Sequence, residues 1–158
     1  MAHIPSYFVI GHPLGHSMSP FIHSRLFALA GRPAAYEARD IPPEQLSAAL
    51  REMLPQVQGL NVTIPYKQAV IPLLDRLEGR AKLYRSVNTI AVTGNQGRPV
   101  YTGYNTDADG FRLSLAAAGI PLAGRVALLG CGGVSRTFAC EAALAGCAVV
   151  DAVRDPLS

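Results

Sequence analysis

Asn61-Val62-Thr63-Ile64-Pro65-Tyr66-Lys67 is the stretch on which the reading of this sequence turns. The β-branched residues at 62 to 64 favour extended backbone, and alternation sends the Asn61 and Thr63 side chains to one face. Pro65 disfavours helical geometry at Ile64, so the strand is expected to end there and the chain to turn. Lys67 then stands just past a strand end, where its ammonium can reach a ligand. Gln68 to Ile71 reads as a short helix that would hold Lys67 in its first turn. Asn, Thr and Lys set so close together make a poor core strand. They suit a polyhydroxylated, anionic small molecule.

Upstream, Tyr7 to Gly11 is an apolar run ending in glycine, the pattern of a buried strand that feeds a loop. Ser19 suits an N-cap and Pro20 the first helical position, so a helix is predicted from there. Its apolar stripe is Ile22, Leu26 and Leu29, and Gly31 with Pro33 ends it. Ser17 and Ser19 thus fall at a strand-to-helix junction, where a carboxylate binds readily and where loop and cap residues are also ordinary. Ala34 to Asp40 reads as a second strand. Pro43 to Leu54 reads as a helix with Leu46, Leu50 and Leu54 on one face.

Downstream, Leu73 to Leu83 reads as two short helical pieces broken at Gly79. Val87 to Thr93 and Val100 to Tyr104 flank Gly94-Asn95-Gln96-Gly97 and read as a hairpin, an antiparallel edge on an α/β layer with a mixed sheet. Thr106 with Asp109 resembles a capping box, followed by the stripe Phe111, Leu115 and Ala118. Asp107 falls in that helix's first turn, where it serves either a ligand or only the helix dipole. Pro121 to Gly124 is the candidate boundary, giving a first domain over 1–121 and a second over 122–158. The second opens with the strand Arg125 to Leu129, a Gly130-Cys131-Gly132-Gly133-Val134-Ser135 turn, an alanine-rich helix to Gly146, and a strand Ala148 to Val153. This is the start of a dinucleotide-binding unit, with pyrophosphate expected at the helix N-terminus and Ser135 where a third glycine is usual. Ala139, Ala142 and Ala143 are expected to allow close helix–strand packing.

Composition narrows the classes. The chain has 158 residues, 49% hydrophobic and 16% charged, which is enough apolar content for an ample core. Its net charge of +3 is scattered and includes no Lys/Arg run, so no nucleic-acid footprint is expected. No apolar run is long enough to span a membrane, and Met1-Ala2-His3-Ile4-Pro5 lacks the pattern of a secretory signal. Cys131, Cys140 and Cys147 read as reduced core residues of a cytoplasmic protein. His3, His12, His16 and His23 crowd the first segment. His12 and His16 sit in a Pro/Gly loop without a set of Cys, Asp or Glu nearby, so no metal site is expected.

Taken in order, these motifs resemble the shikimate dehydrogenase family (shikimate/quinate 5-dehydrogenases). The resemblance rests on Gly11-His12-Pro13 through His16-Ser17-Met18-Ser19-Pro20, on residues 61 to 67, on Val87-Asn88-Thr89, on Asn105-Thr106-Asp107 and on Gly130-Cys131-Gly132-Gly133. It implies that Ser17 and Ser19 hold a substrate carboxylate, that Asn61, Thr63, Asn88 and Asp107 bind ring hydroxyls, and that Lys67 and Asp107 form the catalytic pair. The implied reaction is NADPH-dependent reduction of 3-dehydroshikimate to shikimate, and its reverse. The ring-binding residues leave quinate or an amino analogue open as substrate, and a non-catalytic shikimate-binding paralogue is a further alternative. Three positions depart from the family pattern without removing a chemical group: Ala108 where glycine is common, Tyr66 where Phe is common, and Ser86 where Ala or Gly is common.

The chemistry follows from the residue types. Hydride delivered to a ring ketone leaves an alkoxide that needs a proton donor within hydrogen-bond reach. Protonated Lys67 stabilises that charge and delivers the proton, and Asp107 orients it. For the cofactor, Gly130, Gly132, Gly133, Val134 and Ser135 are expected at the pyrophosphate. Arg154 matches the arginine of the family's phosphate-binding stretch, which favours NADP, while Asp151 keeps NAD open. Val153 and Asp155 replace the Asn and Thr that flank that arginine in the family. The sequence stops at Ser158 after one β-α-β, whereas a dinucleotide fold has two such halves. A fragment with impaired activity and an exposed apolar sheet edge is therefore expected.

Overall fold

Alternation along β1 (Ser6–Gly11) puts Ser6, Phe8 and Ile10 on one face and Tyr7, Val9 and Gly11 on the other, and the two faces take different partners. The computed structural model describes residues 4–95, 98–130 and 132–152. By backbone contacts the chain divides into two compact units, Met1–Tyr104 and Asn105–Ser158.

In the first unit β1 is followed by α1 (Ser19–Leu29), β2 (Ala35–Asp40), α2 (Leu46–Met53), β3 (Gly59–Val62), β4 (Arg76–Leu77), α3 (Ala81–Tyr84), β5 (Thr89–Asn95) and β6 (Arg98–Tyr104). The strands form one mixed sheet in the order β2-β1-β3-β5-β6-β4. β1 runs parallel to β2 and β3, β5 is antiparallel to β3 and β6, and β4 is parallel to β6. The Ile10 face is closed by α2. Leu46, Leu50 and Leu54, the predicted leucine stripe, join Ile10, Leu60, Val62 and Ile90 in one buried cluster. The flanking segments Pro43–Gln45 and Leu54–Gln56 are single 3₁₀ turns, so the predicted helix is present but only its middle is α.

The opposite face carries α1, and here the expected stripe is wrong. No residue of α1 is buried, and Ile22, Leu26 and Leu29 are exposed. The helix meets the sheet through His23 and Phe27 instead. The His23 ring stacks on Tyr36 at 4.2 Å between centroids, and Phe27 lies 5.3 Å from Tyr7. An aromatic pair four residues apart outweighed the aliphatic one in choosing the buried side. Ser19 is the first helical residue and not the cap. Met18 holds the N-cap position, and no side chain caps it.

Other differences are local. β3 stops at Val62 rather than Ile64, and residues 64–70 are turns leading to a 3₁₀ turn at Ile71–Leu73, not a helix around Lys67. Backbone bonds of mixed length, Tyr66 N–H to Thr63 and Val70 N–H to Tyr66, show why no regular helix propagates there. The segment from Leu73 to Leu83 holds the short strand β4 where a helical piece was expected. Asp75 accepts the Tyr101 amide at 2.8 Å and returns its own amide to the Tyr101 carbonyl, which seats β4 beside β6. β4 therefore, and not the hairpin, forms that edge of the sheet. The hairpin strands themselves run on through Gly94 and Asn95, which pair with Pro99 and Arg98.

The second unit holds α4 (Asp107–Ala117), β7 (Arg125–Leu129), α5 (Gly133–Leu144) and β8 (Ala148–Ala152). β7 and β8 pair in parallel, as a β-α-β demands. Phe111 of α4 stacks on Phe138 of α5 at 4.2 Å, while Ala118 of the expected stripe is exposed. Ala142 is fully buried and Ala143 is exposed, so the close packing of α5 falls to Thr137, Glu141 and Ala142. β7 was expected to be a buried strand. It alternates between half-buried and exposed positions, and Leu129 and Val150 are both open to solvent in this two-stranded sheet. Cys140 and Cys147 are free thiols, the first half-buried and the second buried. Cys131 lies outside the described residues.

Candidate active site in the first unit

The end of β3 is held against the start of β5 by main-chain bonds. The Val62 amide donates to the Asn88 carbonyl at 2.8 Å, and the Asn88 amide donates to the Tyr104 carbonyl at 3.0 Å. That pairing sets Asn61 beside Asn88 and Thr89. The Asn61 Nδ2 donates to the Asn88 carbonyl at 3.3 Å and to Thr89 Oγ1 at 3.2 Å, and Thr89 Oγ1 donates to Asn88 Oδ1 at 3.0 Å. From β2, the Tyr36 hydroxyl donates to Asn61 Oδ1 at 2.6 Å. Ser17 Oγ accepts the Ser19 amide at 3.3 Å. Four predicted residues thus fall in two hydrogen-bonded groups, Ser17 with Ser19 at the start of α1, and Asn61 with Asn88 through Thr89 and the Asn88 carbonyl.

Thr63 is positioned by close packing. Its amide donates to the Ile10 carbonyl at 2.9 Å, and β1 leaves it room only because residue 11 is glycine. A Cβ on Gly11 would lie 2.6 Å from Thr63 Cγ2 and 2.8 Å from the Ile64 carbonyl oxygen, closer than real contacts allow. Lys67 occupies the turn after β3 and is buried, with 7% of its surface exposed, rather than reaching freely into solvent. Its carbonyl accepts the Val87 amide at 2.7 Å, which ties the lysine's backbone to the residue before Asn88. The turn is anchored from below by Tyr66, whose buried hydroxyl donates to the Ile41 carbonyl.

Titration behaviour follows these contacts. Burial pushes the Tyr36 phenol up to about 12, opposed by the polar influence of Ser19. Burial also raises Tyr66, with the Asp40 and Glu44 charges adding to the shift. Asp40 is held below the usual carboxylate range by the Leu14 amide at 2.8 Å and then by His12, whose Nδ1 is 2.7 Å away. His12 therefore fastens the loop to β2. His23, desolvated against Tyr36, is shifted down.

Asp107 belongs to the second unit and is the first residue of α4. Thr106 occupies the N-cap without a side-chain cap bond. The expected capping box is replaced by Asn105, whose Oδ1 accepts the Asp107 amide at 3.0 Å. Asn105 Nδ2 donates to Thr137 Oγ1 at 3.4 Å, so α4 and α5 are tied at their starts. In the glycine turn, Gly130 has φ of +99°, a conformation that favours glycine. Gly132 caps α5, of which Gly133, Val134 and Ser135 form the first turn. A Cβ at Gly130 or Gly132 would meet no atom of the described residues within 4 Å, which leaves that backbone open to a ligand. Arg154, with Val153 and Asp155, lies outside the described residues.

Sequence reasoning missed Tyr36, Thr89, Gly11 and His23. Thr89 sits inside a quoted motif and could have been found there. Tyr36 carries no local signal, because its partner is on another strand.

Known proteins are similar to this chain throughout. The family described as "Shikimate dehydrogenase substrate binding domain" matches residues 9–90. The shikimate dehydrogenase (NADP(+)) of Symbiobacterium thermophilum is 44% identical over 142 residues, covering 89% of this chain and 47% of the relative. That of Moorella thermoacetica is 43% identical, covering 88% and 46%. The chain spans about half the length of the curated relatives it matches. Among solved structures, shikimate 5-dehydrogenase of Thermus thermophilus in complex with shikimate matches with a TM-score of 0.86 at 38% identity, over 98% of this chain and 58% of that one. The same enzyme with NADP(H) and shikimate matches with a TM-score of 0.84 at 36% identity, over 98% and 57%.

Proposed function

The chain belongs to the shikimate dehydrogenase family, and from that premise we propose that it carries the shikimate-binding and proton-transfer residues of an NADP-dependent oxidoreductase. The reaction is the reversible reduction of 3-dehydroshikimate to shikimate. In this reading Ser17 and Ser19 hold the carboxylate, and Asn61, Thr63, Asn88 and Asp107 take the ring hydroxyls. The observation that carries it is the hydrogen-bonded group of Tyr36, Asn61, Asn88 and Thr89, with Ser17 and Ser19 joined at the start of α1. The amides and hydroxyls of the first suit ring hydroxyls, and the paired serines suit a carboxylate.

Lys67 stabilises the alkoxide that forms at the ring carbon and gives it a proton; in the reverse direction it takes the hydroxyl proton. Its burial removes competing water, which strengthens that interaction. Asp107 orients the lysine and the reacting hydroxyl. Gly130, Gly132, Gly133, Val134 and Ser135 would hold the dinucleotide's pyrophosphate at the start of α5, and Arg154 its additional phosphate. NADPH, when bound, supplies the hydride. Nothing in this chemistry calls for a metal or a nucleic acid, and the cytoplasm is the compartment it fits. Among the described residues no helix is long and apolar enough to cross a membrane.

The test is calorimetry on the 158-residue chain with shikimate, followed by an assay of shikimate-driven NADP⁺ reduction. Shikimate is expected to bind more tightly than quinate or an amino analogue. Turnover is expected to be low, since the described residues contain one β-α-β and a dinucleotide fold uses two. No heat of binding with any of the three ligands would defeat the reading.

A further inference from the structure

The orientation of the Asn61 amide is decided by its neighbours. The Asn88 carbonyl can only accept, so the Asn61 nitrogen must face it, and Oδ1 must face Tyr36. Tyr36 then has to donate. A phenol has one proton, and that proton is committed to Asn61 at 2.6 Å. Both Asn61 N–H groups are directed inward, to the Asn88 carbonyl and Thr89 Oγ1. Toward a ligand, Asn61 has only a lone pair of Oδ1 to offer.

We propose that Tyr36 is a positioning residue of the shikimate site, fixing Asn61 as a hydrogen-bond acceptor. This rests on the reading of the site given above. The hydroxyl that faces Asn61 is carried by a ring that cannot easily move. Tyr36 is 8% exposed and stacked against His23, with the ring planes 5° apart. With the phenol proton held on the Asn61 side, Oδ1 keeps its acceptor role toward a ring hydroxyl.

The substitution that isolates this role is Tyr36→Phe, which keeps the ring and its stack and deletes only the hydroxyl. It is expected to weaken shikimate binding about tenfold, while costing nothing further in the Asn61→Ala background. Equal losses in both backgrounds would mean that Tyr36 acts independently of Asn61, and would overturn the proposal. A second measurement needs no ligand. The Asn61 side-chain amide protons, followed by NMR, are expected to shift and exchange faster in Tyr36→Phe, and an unchanged Asn61 signal would overturn the proposal as well. If Asn61→Ala binds too weakly to titrate, the amide measurement alone decides. Failure of the unsubstituted chain to bind shikimate defeats the site reading and this role together, an outcome separate from normal binding by Tyr36→Phe, which defeats only the role.

Discussion

The Val87 amide donates to the Lys67 carbonyl at 2.7 Å, and this bond joins the lysine turn to the strand that begins beside Asn88. Residues 67 and 88 are remote in sequence, yet their backbones share a support. The turn after β3 has no regular helix to stiffen it. Its geometry depends instead on this bond, on the Tyr66 anchor and on the fit of Thr63 against Gly11.

Lys67 is best tested by Lys67→Met, which keeps an unbranched apolar side chain in a buried position and removes the ammonium. Single-turnover reduction of NADP⁺ by shikimate, with protein in excess, is expected to fall by about 10²-fold or more. Shikimate affinity measured by calorimetry should change much less. A rate equal to that of the unsubstituted chain would take the proton-transfer role away from Lys67.

Gly11→Ala tests the contact beneath Thr63. The added methyl lies 2.6 Å from Thr63 Cγ2 and 2.8 Å from a backbone oxygen, so the strand end has to move. Chemical denaturation should show a loss of about 1–3 kcal/mol, together with weaker shikimate binding because Thr63 is displaced. Unchanged stability would show that the strand end yields without cost.

Tyr66→Phe separates anchoring from ligand binding. The buried hydroxyl satisfies the Ile41 carbonyl, and its removal leaves that acceptor without its partner. The expected cost is about 1–3 kcal/mol in denaturant midpoint experiments, with the volume of the core conserved. Phe is common at this position in the family, so a cost near zero would mean that the Ile41 carbonyl finds another donor here too.

His23 gives a pH dependence of definite sign. Its folded pKa is depressed by desolvation, so the unfolded chain binds the proton more readily. The stability it contributes is fully present above the unfolded value of about 6.5, and is lost as pH falls from there toward the folded pKa. Melting temperatures measured across that window should decline more steeply for the unsubstituted chain than for His23→Phe, which keeps a ring against Tyr36. Parallel curves would contradict the assignment.

Much of the architecture was legible in local pattern. Leu46, Leu50 and Leu54 marked a buried helix face, and the glycine turn between Leu129 and Val134 marked a parallel β-α-β. Errors arose where two local signals competed or where pairing was distant. In α1 the stripe Ile22, Leu26 and Leu29 was read as the buried side, but His23 and Phe27 make the contact, since the rings of Tyr7 and Tyr36 await them on the sheet. β4 has two residues and begins with arginine, too short and too polar to announce itself. Of the site, Ser17, Ser19, Asn61 and Asn88 were named from motifs, whereas the tyrosine that holds Asn61 was not.

By itself the sequence determined the set of elements, the turn after Asn61 and Thr63, and the family, because backbone preference and side-chain period act over a few residues. Tertiary structure alone decided that Tyr36 would stand over Asn61, that Lys67 would be buried and that Gly11 would make room for Thr63. Those are consequences of register between β1, β2, β3 and β5, set when strands distant along the chain align their buried faces. Spacing within one strand carries no record of which residue will lie across from it.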